Sequence, residues 1–254
     1  MALLVGVAGI AMSADTDPDG RLFEPSTDAL ADVQQTLERA KANDRLALIV
    51  VGGNWCHDSR ALAARLNRSP LAEVIEQEYE LVYVDVGWLD QGRDVLQEFG
   101  VAHFYATPTV LIVDPVSGNV VNDEDRHIWG NAYKVDMAQS VAYFETWATA
   151  DLPTESTDSP ELQQLNADID AFELQLAERV AEGYEVLGPL LKEHKAGNTP
   201  DDLDAKWEEL YAFRSAIPGD IQDLRDEAER RVMAGEQGIK LDYPEYAPLS
   251  WETE

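Results

Sequence analysis

The sequence predicts an α/β protein, a mixed sheet with helices on both faces, followed by a small all-helical C-terminal domain. Three observations predict it. Continuous apolar runs begin at Leu46 (LALIVVGG), Leu81 (LVYVDV) and Thr109 (TVLIVD), with the length and β-branched content of strands buried on both faces. Helical patterns separate these runs, as crossovers between parallel strands require. After a stretch rich in Pro, Ser, Thr and acid at 149–159, read as a linker, no strand pattern returns and apolar residues follow steps of three and four.

Taken in order, Ser26 or Thr27 is placed to cap a helix reaching about Asn43, with Leu30, Val33, Leu37 and Ala40 on one face. The strand Leu46 to Gly53 follows. NWCHDS then opens a helical pattern carried by Leu62, Leu66 and Leu71. Leu81 to Val86 is the second strand, and DQGRDVLQEFGV is a short helix that Gly100 stops. Thr109 to Asp114 is the third strand, after which PVSGN turns the chain into Val120 and Val121, as an antiparallel hairpin needs. A helix from about Val135 to Ala148, with Met137, Val141, Phe144 and Trp147 on one face, closes a domain assigned to 27–148.

In the helical domain, 160–240, the positions Leu162, Leu165, Ile169, Phe172 and Leu176 mark a seam between packed helices, and Ser159-Pro160 is a good start. Gly188-Pro189 is expected to break or kink this helix and Gly197-Asn198 to end it. Thr199 to Asp202 should cap a helix through Leu203, Trp207, Leu210 and Arg214. Pro218-Gly219 should separate it from another through Ile221, Leu224, Ala228 and Val232. The expectation is three or four helices whose Trp and Leu stripes are core. The Pro- and aromatic-rich tail, 241–254, should pack along the domain surface.

Composition narrows the partners. The 254 residues include 49 acidic and 19 basic ones, a formal net charge of -30. Such a surface repels phosphate, so nucleic acid and anionic membranes are excluded as partners. Residues 1–14, MALLVGVAGIAMSA, resemble the apolar core and small-residue end of a secretory leader, although a basic start is missing. The run is too short to span a bilayer. A periplasmic or otherwise exported location is expected, with the cytoplasm as the alternative. One cysteine can form no internal disulfide in either place.

The chemistry concentrates where the first strand runs into W-C-x-x-S at the start of a helix. A thiol there faces unpaired N–H groups and the positive end of the helix dipole, which favour thiolate, the nucleophilic form. His57 and Asp58, beside Cys56, act in opposite directions on it. The four histidines share no metal-ligand spacing, and neither a Gly-rich phosphate loop nor a serine elbow is present.

On these residues the segment from about Asp28 to Ala148 resembles the thioredoxin family. NWCHDS stands at the family's W-C-x-x-C motif, Thr107-Pro108 at its cis-proline, and Trp129-Gly130 at a glycine of its last strand. The resemblance covers about half the chain and implies a thioredoxin-like mixed sheet flanked by helices. It also implies that the backbone at Thr107 pairs with the substrate chain. Two departures stand out: Ser59 replaces the resolving cysteine, and Val50 stands where the family's buried acid would be. The loop between Val101 and Pro108 is a few residues longer than the family's, bringing His103, Phe104 and Tyr105 toward the thiol, either to bind substrate or to pack the loop.

The resemblance implies a monothiol protein in thiol-disulfide exchange of the isomerase, reductase or deglutathionylation type. Cys56, Ser59 and Pro108 form its catalytic set, and Trp55, His57, Thr107, His103 and Tyr105 its substrate contacts. No bound cofactor and no metal is expected; glutathione or another external thiol would be the co-substrate, and a protein disulfide or glutathione adduct the substrate. A non-catalytic binding module or chaperone is the alternative. A glutathione-transferase-like enzyme is a third reading, opposed by the helix before the first strand.

Overall fold

In the computed structural model of the protein, which describes residues 22–123, 125–150 and 159–253, the sheet is built around β1 (Leu46–Gly52). β1 pairs parallel with β2 (Tyr79–Asp85) and antiparallel with β3 (Thr109–Val113), giving the order β2-β1-β3. The proposed leader and residues 151–158 of the linker lie outside the described residues.

Side chains of a strand alternate between faces, so β1 feeds two cores. Leu48 and Val50 face one, with Leu62, Leu66, Leu71, Trp129 and Phe144. Ala47, Ile49 and Val51 face the other, with Val33, Ala40, Val95 and Leu96. Both faces are therefore covered, which is why the run reads as unbroken hydrocarbon.

The helices of this half are α1 (Ala29–Asn43), α2 (His57–Leu66), α3 (Leu71–Glu78), α4 (Arg93–Glu98) and α5 (Met137–Ala148). Three local expectations are corrected. The cap of α1 is Asp28, whose carboxylate accepts from Ala31 N–H at 2.9 Å, and not Ser26 or Thr27. The pattern through Leu62, Leu66 and Leu71 belongs to two helices, because Pro70 has no N–H with which to continue the ladder of α2. The third correction concerns the hairpin.

The turn after β3 forms, with Gly118 N–H donating to Asp114 C=O at 2.8 Å, but the return strand is reduced to a single bridge between Val113 and Val120. The Asn122 side chain takes over. Its Oδ1 accepts from Ile112 N–H at 2.8 Å and its Nδ2 donates to Val110 C=O at 3.0 Å. A buried amide thus satisfies the β3 groups that a fourth strand would have paired. Trp129 and Gly130 accordingly lie in a 3-10 segment, Arg126–Lys134, and not in a strand.

The C-terminal region is all helical, but it has two long helices where three or four were expected. α6 spans Pro160–Lys195 and α7 spans Leu203–Met233, each continuous through an internal proline, Pro189 and Pro218. Proline removes one hydrogen bond and bends a helix; it ends one only where packing does not hold the flanks. Here buried Leu187 and Leu191 flank Pro189, and buried Ile217 and Ile221 flank Pro218.

This helical hairpin shares the core of the sheet face that carries α1 and α4, from Ile49 and Val51 through Phe104 to Leu187 and Ile217. Gly188 lets α6 meet the backbone of Trp88, and Arg93 pairs with Glu178 at 2.6 Å. The tail lies along the hairpin, with Leu249 buried and Glu252 bound to Arg179 at 2.6 Å. The architecture is a thioredoxin-like mixed sheet flanked by helices, followed by an all-helical region.

Candidate functional site

β1 ends at a loop that is fastened on both sides. The Asn54 amide accepts from Leu22 and Phe23 N–H and donates to Phe23 C=O at 2.6 Å. Trp55 donates its indole N–H to Gly87 C=O at 2.7 Å. These anchors deliver Cys56 as the N-cap residue of α2, with extended backbone (φ -82, ψ 129) and no side-chain capping bond. Its half-buried thiol lies 3.2 Å from Thr107 C=O, to which Sγ donates. The Thr107–Pro108 peptide is cis.

The other residues singled out divide sharply. Ser59 is fully buried, and its Oγ accepts from Gly53 N–H at 3.3 Å, so it braces the loop from beneath. Val50 is fully buried hydrocarbon. His57 turns outward, with 58% of its side chain exposed and its ring 4.2 Å from that of Tyr133. It does not line the cleft over the thiol. Asp58 does line the cleft, and its carboxylate accepts from Tyr133 N–H at 2.8 Å.

The long loop before Pro108 serves chiefly to dock the helical hairpin. Phe104 is fully buried and stacks on Tyr184 of α6 at 5.0 Å. Tyr105 donates to Glu173 at 3.0 Å, and burial with that carboxylate raises its pKa. His103 is buried, and its Nδ1 accepts from Phe104 N–H at 2.8 Å, which requires that nitrogen to be unprotonated. Burial, reinforced by Arg93, pushes its pKa down to about 4, so it is a neutral imidazole at pH 7. Both His103 and Tyr105 nevertheless reach the cleft wall.

The last four carbonyls before Pro108 each accept a hydrogen bond. Phe104 C=O accepts from Tyr184 O–H at 3.0 Å, and Tyr105 C=O from Arg214 of α7. Ala106 C=O accepts from Thr109 O–H at 2.8 Å, and Thr107 C=O from the Cys56 thiol. Gly130 packs against the loop from the far side, where a Cβ would fall 2.7 Å from that of Ala106.

Above Cys56 lies a cleft of about 730 Å³. Trp55, Cys56, Thr107 and Pro108 line one side, and Trp207, Tyr211, Arg214, Pro218, Gln222 and Arg225 of α7 the other. Sequence reasoning missed this second side. The signal was present, since these six α7 positions recur every three or four residues and so share one helix face. What was missing was the knowledge that this face looks onto the thiol rather than into a core.

The charged groups of the cleft are mostly paired. Arg126 binds Asp123, and burial lowers its pKa against the opposing pull of Glu173. Arg225 binds Asp170 at 2.7 Å and lies 3.7 Å from Glu173. Among the described residues Arg214 pairs with no carboxylate. Its guanidinium bonds the Tyr105 carbonyl and lies 5.2 Å from the Tyr211 ring centroid and 6.0 Å from that of Trp207. No group of three or more His, Cys, Asp or Glu that could hold a metal occurs among the described residues. No described helix is long and apolar enough to cross a membrane.

No protein-family model matches the chain, and no curated protein matches it. Among solved structures, a disulphide isomerase from Xylella fastidiosa Temecula1 is similar at 27% identity, covering 49% of this chain and 94% of that one, with a TM-score of 0.45.

Proposed function

We propose that the protein is a monothiol thiol-disulfide exchange protein with Cys56 as its nucleophile. The observation that supports this reading is the position of the thiol: at the N-cap of α2, 3.2 Å from Thr107 C=O and open to a cleft that Pro108 also lines. Unpaired N–H groups in the first turn of a helix are suited to receive the negative charge of an attacking sulfur.

The Cys56 thiolate attacks one sulfur of a disulfide, the S–S bond breaks, and the departing thiolate takes a proton from water. The mixed disulfide on Cys56 has no internal route onward, because Ser59 is a buried hydroxyl and the chain has one cysteine. An external thiol, glutathione or a chemical equivalent, displaces Cys56 and restores it. Exchange is complete without net oxidation. An exported location, as the leader pattern suggests, would place this chemistry where disulfides persist.

Turnover of a mixed disulfide in the presence of glutathione tests the reading, and a rate unchanged in Cys56→Ala would refute it. The alternative of a non-catalytic binding module is favoured by the loss of both the resolving thiol and the buried acid, at Ser59 and Val50. Partner capture that survives alkylation of Cys56 would select that alternative.

A further inference from the structure

Resting on the exchange reading, we infer that the substrate of Cys56 is a low-molecular-weight disulfide bearing carboxylates, docked by Arg214, rather than a disulfide in a folded protein. Three observations converge on this.

First, the thiol opens into a cleft that α7 helps to line, and its volume of about 730 Å³ lies within the range of small-molecule sites, which suits a small disulfide better than a broad protein surface. Second, three of the backbone carbonyls before Pro108 are already used. Those of Phe104, Tyr105 and Ala106 each accept a hydrogen bond from within the chain, two of them from the helical hairpin itself. A peptide strand adding there would have to compete with these donors, which leaves more of the recognition to side chains.

Third, one side chain is suited to the task. The other two guanidiniums of the cleft, on Arg126 and Arg225, are committed to carboxylates, whereas Arg214 bonds a neutral carbonyl and lies near the Trp207 and Tyr211 rings. A guanidinium presents paired donors that match a carboxylate, and partial enclosure strengthens the contact. In a chain of net charge -30, a cation that lines the same cleft as the thiol and has no carboxylate partner among the described residues marks where an anionic group would sit.

Cys56 sulfur bonds to one sulfur of R–S–S–R′, the S–S bond breaks, and R′–S⁻ leaves and is protonated by water. A second small thiolate, R″–S⁻, then attacks the R sulfur, releasing R–S–S–R″ and the Cys56 thiolate.

The experiment measures the rate of Cys56 in the full chain with three probes: glutathione disulfide, uncharged 2-hydroxyethyl disulfide, and insulin as a protein disulfide. Glutathione disulfide should react faster than insulin. Arg214→Gln should lower the ratio of the glutathione disulfide rate to the hydroxyethyl disulfide rate about tenfold, as expected for one lost charged hydrogen bond. Arg214→Lys should recover part of it. An unchanged ratio in Arg214→Gln, or insulin reacting as fast as glutathione disulfide, overturns the inference while leaving the exchange reading intact. If Cys56 reacts with all three no faster than a cysteine in an unstructured peptide, both fail. Should Arg214→Gln not fold, the wild-type protein decides: saturation by glutathione disulfide that high salt weakens supports the inference, and its absence overturns it.

Discussion

Gly188, in the middle of α6, lies directly against the carbonyl oxygen of Trp88, so that a Cβ at this position would overlap that oxygen. This contact sets how closely the helical hairpin approaches the loop after β2, which also carries Leu89 to the cleft. Gly188→Ala is expected to destabilise the protein by about 1–3 kcal/mol through overpacking, despite the better helix propensity of alanine. Urea unfolding of the two proteins checks the sign. A more stable variant would show that α6 has room to move.

Asn122 stands in for a missing strand. Its amide meets the β3 backbone twice and also donates to the Tyr143 hydroxyl at 2.9 Å. Asn122→Ala leaves a buried N–H and a buried C=O at Ile112 and Val110 without partners. The expected cost is about 2–6 kcal/mol, from about 1–3 kcal/mol for each of the two unsatisfied groups. Chemical denaturation reads the loss, and hydrogen exchange at Ile112 should accelerate.

The buried imidazole of His103 makes stability depend on pH. Its pKa lies at about 4 in the folded protein, against 6.5 in the unfolded chain. Between these values the unfolded state binds more protons, so stability rises with pH. The contribution is full above about pH 6.5 and is lost as pH falls toward 4, in total about 3 kcal/mol. His103→Asn retains an acceptor for Phe104 N–H but does not titrate. The stability difference between pH 7 and 5.5 should be about 1 kcal/mol larger in the wild type than in this variant. Parallel pH profiles for the two would contradict the assignment.

A shared core also fixes what truncation does. Ile49, Val51, Phe104 and Leu187 belong to one hydrophobic cluster, so a chain ending at Ala148 exposes the face that α6 and α7 cover. That fragment is expected to lose cooperative unfolding and to bind a hydrophobic dye, even though it contains the whole sheet. Calorimetry and dye fluorescence of the fragment test this; a sharp transition with no dye binding would mean that the two regions fold independently.

The strands were legible because a fully buried strand must be hydrocarbon on both faces, and LALIVV and TVLIVD are. The thiol at a strand-to-helix junction was legible for a similarly local reason: W-C-x-x-S and the preceding strand lie within a dozen residues. Errors fell where local signals competed with packing. Pro189 and Pro218 read as breaks but lie inside helices, because buried neighbours on either side hold the axis. Val120 and Val121 read as a strand, but Asn122 satisfies the sheet edge through its side chain.

By itself the sequence determined a thioredoxin-like sheet, a solitary Cys56 without a resolving thiol, and a helical second region, since each follows from periodicity, burial pattern or residue identity along a short stretch. Only the tertiary structure decided that His57 is exposed and outside the cleft lining, that His103 is buried and neutral, and that Arg214 lines the cleft with the thiol. The reason is physical: Arg214 and Cys56 are separated by more than half the chain, and they line one cleft because apolar surface on the sheet and on the hairpin is buried together. No local pattern records which face of α7 that burial turns toward Cys56.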